Sequence, residues 1–96
     1  MEDTLTLLKA LSDGTRLKIV GLLLGGERCV CEIYPNVKRA QSTVSIQLGK
    51  LENWGILESS RHGKWIFYRI KDRRVHSLFK ALGLKGGAED GRGAKA

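Results

Sequence analysis

Residues 41 to 70 hold the pattern that most restricts the fold, an amphipathic helix followed directly by a β-hairpin. Residues 41 to 54 carry an apolar stripe at helical spacing, and Gly55 ends the helix. The stripe consists of Val44, Leu48 and Leu51. Two β-rich runs, 57 to 62 and 65 to 70, follow on either side of Gly63-Lys64. A polar-faced helix beside a short hairpin is the arrangement with which a winged helix enters and flanks a DNA groove.

Two further helices are predicted ahead of this unit. Residues 3 to 11 place leucines near helical spacing, with Asp3 at the positive end of the helix dipole. Ser12 or Asp13 can cap a second helix, which Gly25-Gly26 ends. The predicted buried stripe of the second helix is Leu17, Val20 and Leu24.

The rest of the chain predicts a short turn, a last helix and a tail. Residues 29 to 34 are expected to form a turn, because Pro35-Asn36 ends any helix before it. Residues 72 to 82 predict a helix with one apolar face, and residues 84 to 96 a flexible Gly-rich tail. The expected fold is therefore mainly α with a β-hairpin wing, a winged helix-turn-helix domain over residues 1 to 83.

The charge of the chain is concentrated on this predicted DNA-binding part. The net charge is +7, and between Lys38 and Lys80 there are ten Lys or Arg against three Asp or Glu. Such a block is typical of a face that binds a polyanion. No apolar run is long enough to span a membrane, and no signal-peptide layout begins the chain, so we expect a soluble cytoplasmic protein. Phosphate-binding loops, carboxylate pairs and activated nucleophiles are absent, which argues against an enzyme.

The exposed face of the helix at 41 to 54 and the turn of the hairpin supply the predicted contacts to double-stranded DNA. Gln47 is the expected base reader, since an amide can pair bidentately with adenine, and Lys50 is expected to meet phosphate. Ile46 can touch a thymine methyl. The full predicted set is Gln41, Ser42, Thr43, Ser45, Ile46, Gln47, Lys50, Arg61, His62 and Lys64. Trp65, Phe67 and Tyr68 are expected to pack inside the domain.

Cys29 and Cys31 carry the sharpest hypothesis about regulation. In a regular helix the side chains of residues i and i+2 point away from each other, so one ion could bind both sulfur atoms only where the backbone departs from a regular helix. Thiolates are soft ligands that select soft ions. Capture of such an ion would then favour one conformation of a segment that adjoins the DNA-reading helix.

In series, these segments resemble the ArsR/SmtB family of metal- and metalloid-responsive repressors. The resemblance runs through Ala10–Val20, Cys29–Ile33, Gln41–Ser45, Leu51–Leu57 and Arg61–Ile70, and it covers roughly residues 5 to 82. It departs from the family at Ala40, where a Ser often caps the helix, and at Ile46, where a long polar residue is frequent.

The resemblance implies a homodimer, because members of the family pack their first and last helices across a two-fold axis. Reading a palindromic operator also requires two DNA-reading helices roughly 34 Å apart. The predicted interface consists of Leu5, Leu8, Val75, Leu78, Phe79 and Leu82.

The resemblance also implies an inducer. Related members bind trivalent arsenic or antimony through Cys-Val-Cys-(Asp/Glu)-Leu-Cys, and here Tyr34 takes the place of the third Cys. The third ligand would be a solvent species, a small-molecule thiol, or absent. Asp72 and His76 resemble half of the zinc site that other members carry on the last helix, but a second pair is missing.

The sequence therefore predicts a repressor that needs no cofactor and is released from a pseudo-palindromic operator by As(III), Sb(III) or another thiophilic ion at Cys29 and Cys31. Two alternatives stay open. The same pair could sense oxidation by forming a strained disulfide. Alternatively, the chain could bind DNA constitutively, with its two cysteines merely packed.

Overall fold

A computed structural model describes residues 2 to 84, which form five helices and a three-stranded sheet. In chain order the elements are α1 (Glu2–Leu11), α2 (Gly14–Leu22), a short 3-10 turn (Leu23–Gly25), β1 (Arg28–Cys29), α3 (Val30–Val37), α4 (Gln41–Asn53), β2 (Leu57–His62), β3 (Trp65–Ile70) and α5 (Arg74–Ala81). The winged-helix prediction is confirmed. The predicted tail, apart from Leu84, lies outside the described residues.

The sheet contains one strand more than the predicted hairpin. β2 and β3 pair antiparallel over the predicted runs, and β1 joins the other edge of β3 to give the order β1-β3-β2. In this two-residue strand Arg28 lies opposite Tyr68 and Cys29 opposite Phe67. Cys29 is therefore tied by the sheet to the strand that returns from the wing.

The helices enclose one apolar core, to which α4 contributes the predicted stripe. Val44, Leu48 and Leu51 are all buried there. The predicted stripe of α2 is only partly right, because Val20 is buried whereas Leu17 and Leu24 are half-buried. The other buried side chains of this region are Ile19, Leu22 and Leu23. Among the helices of residues 2 to 84, none combines the length and the apolar composition that crossing a bilayer requires.

The predicted turn at residues 29 to 34 is wrong, because α3 begins at Val30 and continues through Pro35 to Val37. Proline at this position removes only one intrahelical hydrogen bond, to the carbonyl of Cys31. Two features offset that loss. Ile33 and Val37, four residues apart, are completely buried, and a capping box stabilises the first turn.

Of the two predicted caps of α2, Ser12 and Asp13, the structure shows Asp13. Its carboxylate accepts a hydrogen bond from the Arg16 backbone N–H at 3.0 Å, and this bond holds the pKa of Asp13 below its ordinary value of 3.8. A carboxyl whose pKa falls on folding stabilises the fold above its unfolded pKa, and the stabilisation is lost as the pH falls through the folded value.

Asp13→Ala is accordingly expected to lower the thermal unfolding midpoint at pH 7. We expect the gap from wild type to narrow as the pH falls below 3.8, where wild-type Asp13 becomes protonated as well. Thermal melts followed by circular dichroism across this pH range measure the gap, with Asp13→Asn as the matched variant that keeps an uncharged cap. A gap that stays constant across the range would assign the loss to something other than the charged cap.

Candidate functional site

The helix-turn-helix consists of α3, a three-residue turn and α4. Lys38 takes a left-handed backbone conformation (φ 61°, ψ 45°), which ends α3 and turns the chain toward α4. Ala40 is the N-cap residue of α4, and no side chain makes a capping hydrogen bond there. The first backbone N–H groups of α4 are therefore left without a side-chain acceptor, and a DNA phosphate is a ligand of the kind that such groups bind.

The outer face of α4 presents most of the predicted DNA-contacting side chains to solvent. Thr43 and Gln47 are half-buried, and Ile46, at 59 % exposure, stands out as an apolar side chain on a polar surface. The exposed members of the set are Gln41, Ser42, Ser45, Ile46 and Lys50. Small polar side chains around one apolar contact suit a helix that must approach base edges closely.

Gln47, the predicted base reader, is hydrogen-bonded to a residue of another helix. Its Oε1 accepts a hydrogen bond from Nη1 of Arg16 at 2.8 Å. Arg16 lies on α2, its Nε donates to the Ala10 carbonyl at 2.7 Å, and its guanidinium lies 5.2 Å from the centre of the Trp54 ring. The sequence gives no signal for this contact, because Arg16 and Gln47 are 31 positions apart.

The turn of the hairpin places Arg61, His62 and Lys64 on the surface of the wing. All three are exposed, and none of them takes part in the ion pairs found within residues 2 to 84. By contrast, Arg69 on β3 is neutralised by Glu58 at 2.8 Å and Glu27 at 3.2 Å. The positive charge that the wing offers to a polyanion is thus at its tip.

One aromatic residue of the wing was placed wrongly by the packing prediction. Phe67 and Tyr68 are half-buried, but Trp65 is 49 % exposed, with Lys64 Nζ 5.4 Å from the centre of its ring. Trp65 is the first residue of β3, and strand alternation directs its side chain away from the main core.

The two cysteines come together at the junction of β1 and α3. Cys29 has an extended backbone (φ −68°, ψ 144°) and is the N-cap of α3, while Cys31 lies in its first turn. Their sulfur atoms are joined in a disulfide, with the Cα atoms 5.1 Å apart. This is the break in the backbone that joint use of both sulfurs requires, since the strand ends and the helix begins between them.

The capping interactions of α3 use the same cysteine. Cys29 Sγ accepts a hydrogen bond from the Cys31 N–H at 3.2 Å, and the Cys29 N–H donates to Glu32 Oε1 at 3.1 Å. Cys29 is 6 % exposed, whereas Cys31 is open to solvent. A change in the bonding of Cys29 Sγ therefore alters the cap that starts α3.

A surface pocket of about 390 Å³ connects the cysteines with both parts of the predicted DNA-binding surface. Its walls include Cys29 and Cys31, Gln41 at the start of α4, and Lys64 and Trp65 of the wing. The remaining wall residues are Val30, Tyr34, Pro35 and Ile66. A ligand in this pocket would touch the cysteine pair, α4 and the wing together.

Tyr34, which stands in place of a third cysteine, makes a hydrogen bond to α4 instead. Its hydroxyl lies 2.8 Å from Ser45 Oγ and links the two helices of the helix-turn-helix. Within residues 2 to 84 there is no group of three or more His, Cys, Asp or Glu side chains that could hold a metal ion. An ion at Cys29 and Cys31 would thus need any further ligand from outside the described chain.

In the partial zinc site suggested by Asp72 and His76, both oxygens of the Asp72 carboxylate are already hydrogen-bonded. Arg74 donates to both carboxylate oxygens of Asp72, and these hydrogen bonds hold the pKa of that carboxyl below its ordinary value. Asp72 is committed to this ion pair, which leaves His76 as an exposed side chain on α5.

The predicted dimer residues divide into two groups. Val75 and Phe79 are buried in the core of the chain itself, so their assignment to an interface is corrected; these two hold α5 on the domain. Leu78 is half-buried, and Leu5, Leu8 and Leu82 are 57 %, 50 % and 62 % exposed. An ion pair of 3.0 Å between Asp3 and Arg74 joins α1 to α5.

Comparison with known proteins gives concordant matches. Residues 13 to 59 match the family model described as bacterial regulatory protein, arsR family. The arsenical resistance operon repressor of Escherichia coli is 42 % identical over 65 residues, which are 67 % of this chain and 56 % of that protein. A cadmium resistance transcriptional regulatory protein CadC homolog of Staphylococcus aureus is 39 % identical over 79 % of this chain and 64 % of its own length.

Solved structures agree with the sequence matches. The transcriptional repressor BigR from Xylella fastidiosa superposes with a TM-score of 0.80 at 40 % identity, covering 84 % of this chain and 83 % of that one. A homodimeric winged helix-turn-helix DNA-binding domain from Mycobacterium bovis, a possible ArsR-family regulator, gives a TM-score of 0.75 at 34 % identity, covering 85 % and 76 %.

Proposed function

The chain belongs to the arsR family of bacterial regulatory proteins and is a DNA-binding transcriptional repressor, and we propose that its Cys29–Cys31 pair controls release of the operator. The observation that carries the proposal is the shared pocket, whose walls combine both cysteines with the start of α4 and the wing. A regulator of this kind is not an enzyme; it acts through the fraction of operator that it occupies.

The inducer that we propose is trivalent arsenic or antimony held by the two sulfur atoms. In the reduced protein, Cα atoms 5.1 Å apart place the two thiolates close enough to bind one soft ion. The pocket leaves room for a small thiol or a solvent species as a further ligand. Relatives named for arsenical and for cadmium resistance support a thiophilic ion and leave the choice among such ions to experiment.

Two connections would carry the change from the cysteines to DNA. An ion on Cys29 Sγ competes with the hydrogen bond that this atom accepts from the Cys31 N–H, and so disturbs the start of α3. From α3 the change passes to α4 through the Tyr34–Ser45 hydrogen bond. It also passes to the wing, because Cys29 pairs with Phe67 in the sheet.

Sensing of oxidation by the same pair is the second candidate. A Cα separation of 5.1 Å lies within the range of about 4.4–6.8 Å that disulfides use, so two reduced cysteines placed this way can be joined with little backbone movement. Equal operator affinity of the reduced and the oxidised protein would contradict this candidate while leaving the arsenic proposal open.

On DNA, we propose that α4 enters the major groove and that the wing tip contacts the flanking backbone. The contacting residues are those predicted from the sequence: Gln41, Ser42, Thr43, Ser45, Ile46, Gln47, Lys50, Arg61, His62 and Lys64. Eight of the ten are exposed on α4 and on the wing tip, and Thr43 and Gln47 are half-buried on α4, which supports this assignment. A repressor that acts on DNA in this way works in the cytoplasm.

We also propose a homodimer that packs the exposed leucines of α1 and α5 against those of a second copy. Leu5 and Leu8 on α1, and Leu82 at the C-cap of α5, support this because they are large apolar side chains in contact with water. Asp3 and Arg74 join these two helices. The homodimeric structure from Mycobacterium bovis supports it further. We keep residues 1 to 83 as the proposed bounds of the DNA-binding and dimerisation domain.

The test of the inducer is a titration of the reduced protein with arsenite, followed by ultraviolet charge-transfer absorbance of arsenic–thiolate bonds. We expect absorbance that saturates at equimolar arsenite, and none in the double variant Cys29→Ser/Cys31→Ser. Serine is the matched replacement, because its hydroxyl can keep the N-cap of α3. An unchanged signal in the double variant would place the bound arsenic elsewhere, and no signal in wild type would remove arsenic as the inducer.

Lys50→Ala is expected to weaken binding to all DNA sequences alike. Lys50 is exposed on α4 and its ammonium can meet phosphate but selects no base, so the slope of log K against log[salt] should fall by about one. Fluorescence anisotropy with specific and random duplexes at several salt concentrations measures both effects. Lys80→Ala, on α5, is the matched control and should leave the slope unchanged, whereas a loss confined to one sequence would show that Lys50 reads a base.

A further inference from the structure

The pocket beside the cysteines has the size and the walls of a site for a small molecule. Its volume of about 390 Å³ lies at the small end of the range, roughly 300–1,000 Å³, that is typical of ligand sites. Its walls are mostly apolar, as such sites usually are, and include Val30, Pro35 and the ring of Trp65. One arsenic atom bound to two sulfur atoms would fill only a small part of this space.

Trivalent arsenic needs one more ligand than the two cysteines supply. It forms three bonds, and the sequence has only two cysteines, with Tyr34 in the place of a third. The Tyr34 hydroxyl is hydrogen-bonded to Ser45, and the described residues contain no group of three His, Cys, Asp or Glu side chains that could complete a site. Because a soft ion prefers sulfur to oxygen, a soluble thiol is a better third ligand than water.

The charge of the pocket indicates what else such a thiol should carry. Among the described residues that line the pocket, Lys64 alone has a charged side chain. Lys64 is exposed, takes part in none of the ion pairs between residues 2 and 84, and holds its Nζ 5.4 Å from the centre of the Trp65 ring. A carboxylate on the thiol would therefore meet an ammonium group, and no Asp or Glu of these walls would repel it.

We infer that the pocket binds a low-molecular-weight thiol bearing a carboxylate, whose sulfur is the third ligand of arsenic and whose carboxylate pairs with Lys64. In this complex the three As–OH bonds of arsenous acid are replaced by three As–S bonds, to Cys29, Cys31 and the thiol. The three thiol protons and the three hydroxyl groups leave as three water molecules, and arsenic stays trivalent. The inference rests on the proposed function of the cysteine pair and adds the class of molecule that completes its site.

The experiment loads the full chain, reduced with a phosphine so that no other thiol is present, with one equivalent of arsenite. It is then titrated with 3-mercaptopropionate, which carries a carboxylate, or with 2-mercaptoethanol, a neutral thiol of similar length. Charge-transfer absorbance gives the half-saturating concentration of each thiol, and native mass spectrometry counts the arsenic atoms and thiols bound. We expect one arsenic and one thiol per chain. A wild-type complex that holds arsenic but no thiol would overturn the inference.

Lys64→Gln tests the pairing with the carboxylate. The measured quantity is the half-saturating concentration of the neutral thiol divided by that of the anionic thiol. Differences in how strongly the two thiols bind arsenic cancel when this ratio is compared between proteins. It should fall by about two- to five-fold in Lys64→Gln, the size of effect that an exposed ion pair gives. Arg61→Gln removes a wing charge outside the pocket and should keep the wild-type ratio, whereas an unchanged ratio in Lys64→Gln would overturn the inference.

Phenylarsine oxide separates this inference from the proposed function. Its arsenic keeps a phenyl group as one of its three substituents, so Cys29 and Cys31 alone complete its coordination. We expect it to bind the reduced chain and to retain neither thiol. If it binds in this way while arsenite complexes also hold no thiol, the inference fails and the two-sulfur site stands. If neither arsenical binds, the two-sulfur site is contradicted, and the inference falls with it.

Discussion

With Cys31 replaced by serine, the repressor is expected to stay on its operator at arsenite concentrations that release wild type. In wild type, arsenite should weaken operator binding by roughly 10- to 100-fold, which is the size of coupling that allosteric regulators commonly show. The variant should show no change, because one sulfur atom cannot chelate. Fluorescence anisotropy of a labelled operator duplex, selected from random-sequence DNA, measures both proteins.

Cys31 is the better of the two positions for this test because it is exposed and does not cap the helix. Serine there should leave the fold and the arsenite-free operator affinity as they are. Cys29→Ser is the companion variant, since Cys29 is buried and is the N-cap of α3, a role that serine can also fill. Release of Cys31→Ser at the wild-type arsenite concentration would contradict the two-sulfur site.

Phe79→Ala is expected to lose about 3–5 kcal/mol of the free energy of unfolding. Phe79 is 3 % exposed, and its ring packs so closely on α2 that a Cβ added at Gly21 would lie 3.4 Å from it. The cavity left by alanine would consume a large share of the roughly 5–15 kcal/mol that stabilises a typical domain. Chemical denaturation at one fixed protein concentration measures the loss.

Leu82→Ala is the matched control on the other group of predicted interface residues. Leu82 is 62 % exposed, so its removal should cost the single chain little but should weaken self-association. Sedimentation across a range of protein concentrations measures that association. A loss below about 1 kcal/mol in Phe79→Ala would mean that α5 is not anchored by its core face. An unchanged association constant in Leu82→Ala would remove Leu82 from the dimer contact.

The elements with strong periodicity could be predicted from the sequence. The stripe of α4 and the alternation of the hairpin are local patterns that one buried face imposes, so their bounds agree closely with the structure. α3 and β1 could not be predicted in this way. Pro35 is a strong local signal against helix, and the capping box that outweighs it is visible only once Cys29 has been placed at the end of a strand.

The candidate site shows the same limit. Exposure of Ser42 and Lys50 follows from the helical period, but the state of Gln47 depends on Arg16, which the fold brings from another helix. Likewise, an apolar face on the last helix predicts burial, but it does not show whether that face packs on the core of its own chain or on a second copy. The structure divides that face between the core at Phe79 and solvent at Leu82.

Binding of one ion by both cysteines requires their two sulfur atoms to lie close together, and the structure shows which backbone change allows this. The sequence argument held that a regular helix could not bring them together, and they meet where a strand becomes a helix. Placing this junction next to α4 and the wing gives the cysteines a physical route to DNA.

The most direct test of this account uses the reciprocity of linked equilibria. If arsenite weakens operator binding by a given factor, bound operator must weaken arsenite binding by the same factor. Titrating arsenite into the reduced protein, free and saturated with operator DNA, measures this second factor. We predict arsenite affinity roughly 10- to 100-fold lower in the complex. Equal affinity in the two titrations would contradict the claim that the Cys29–Cys31 pair controls release.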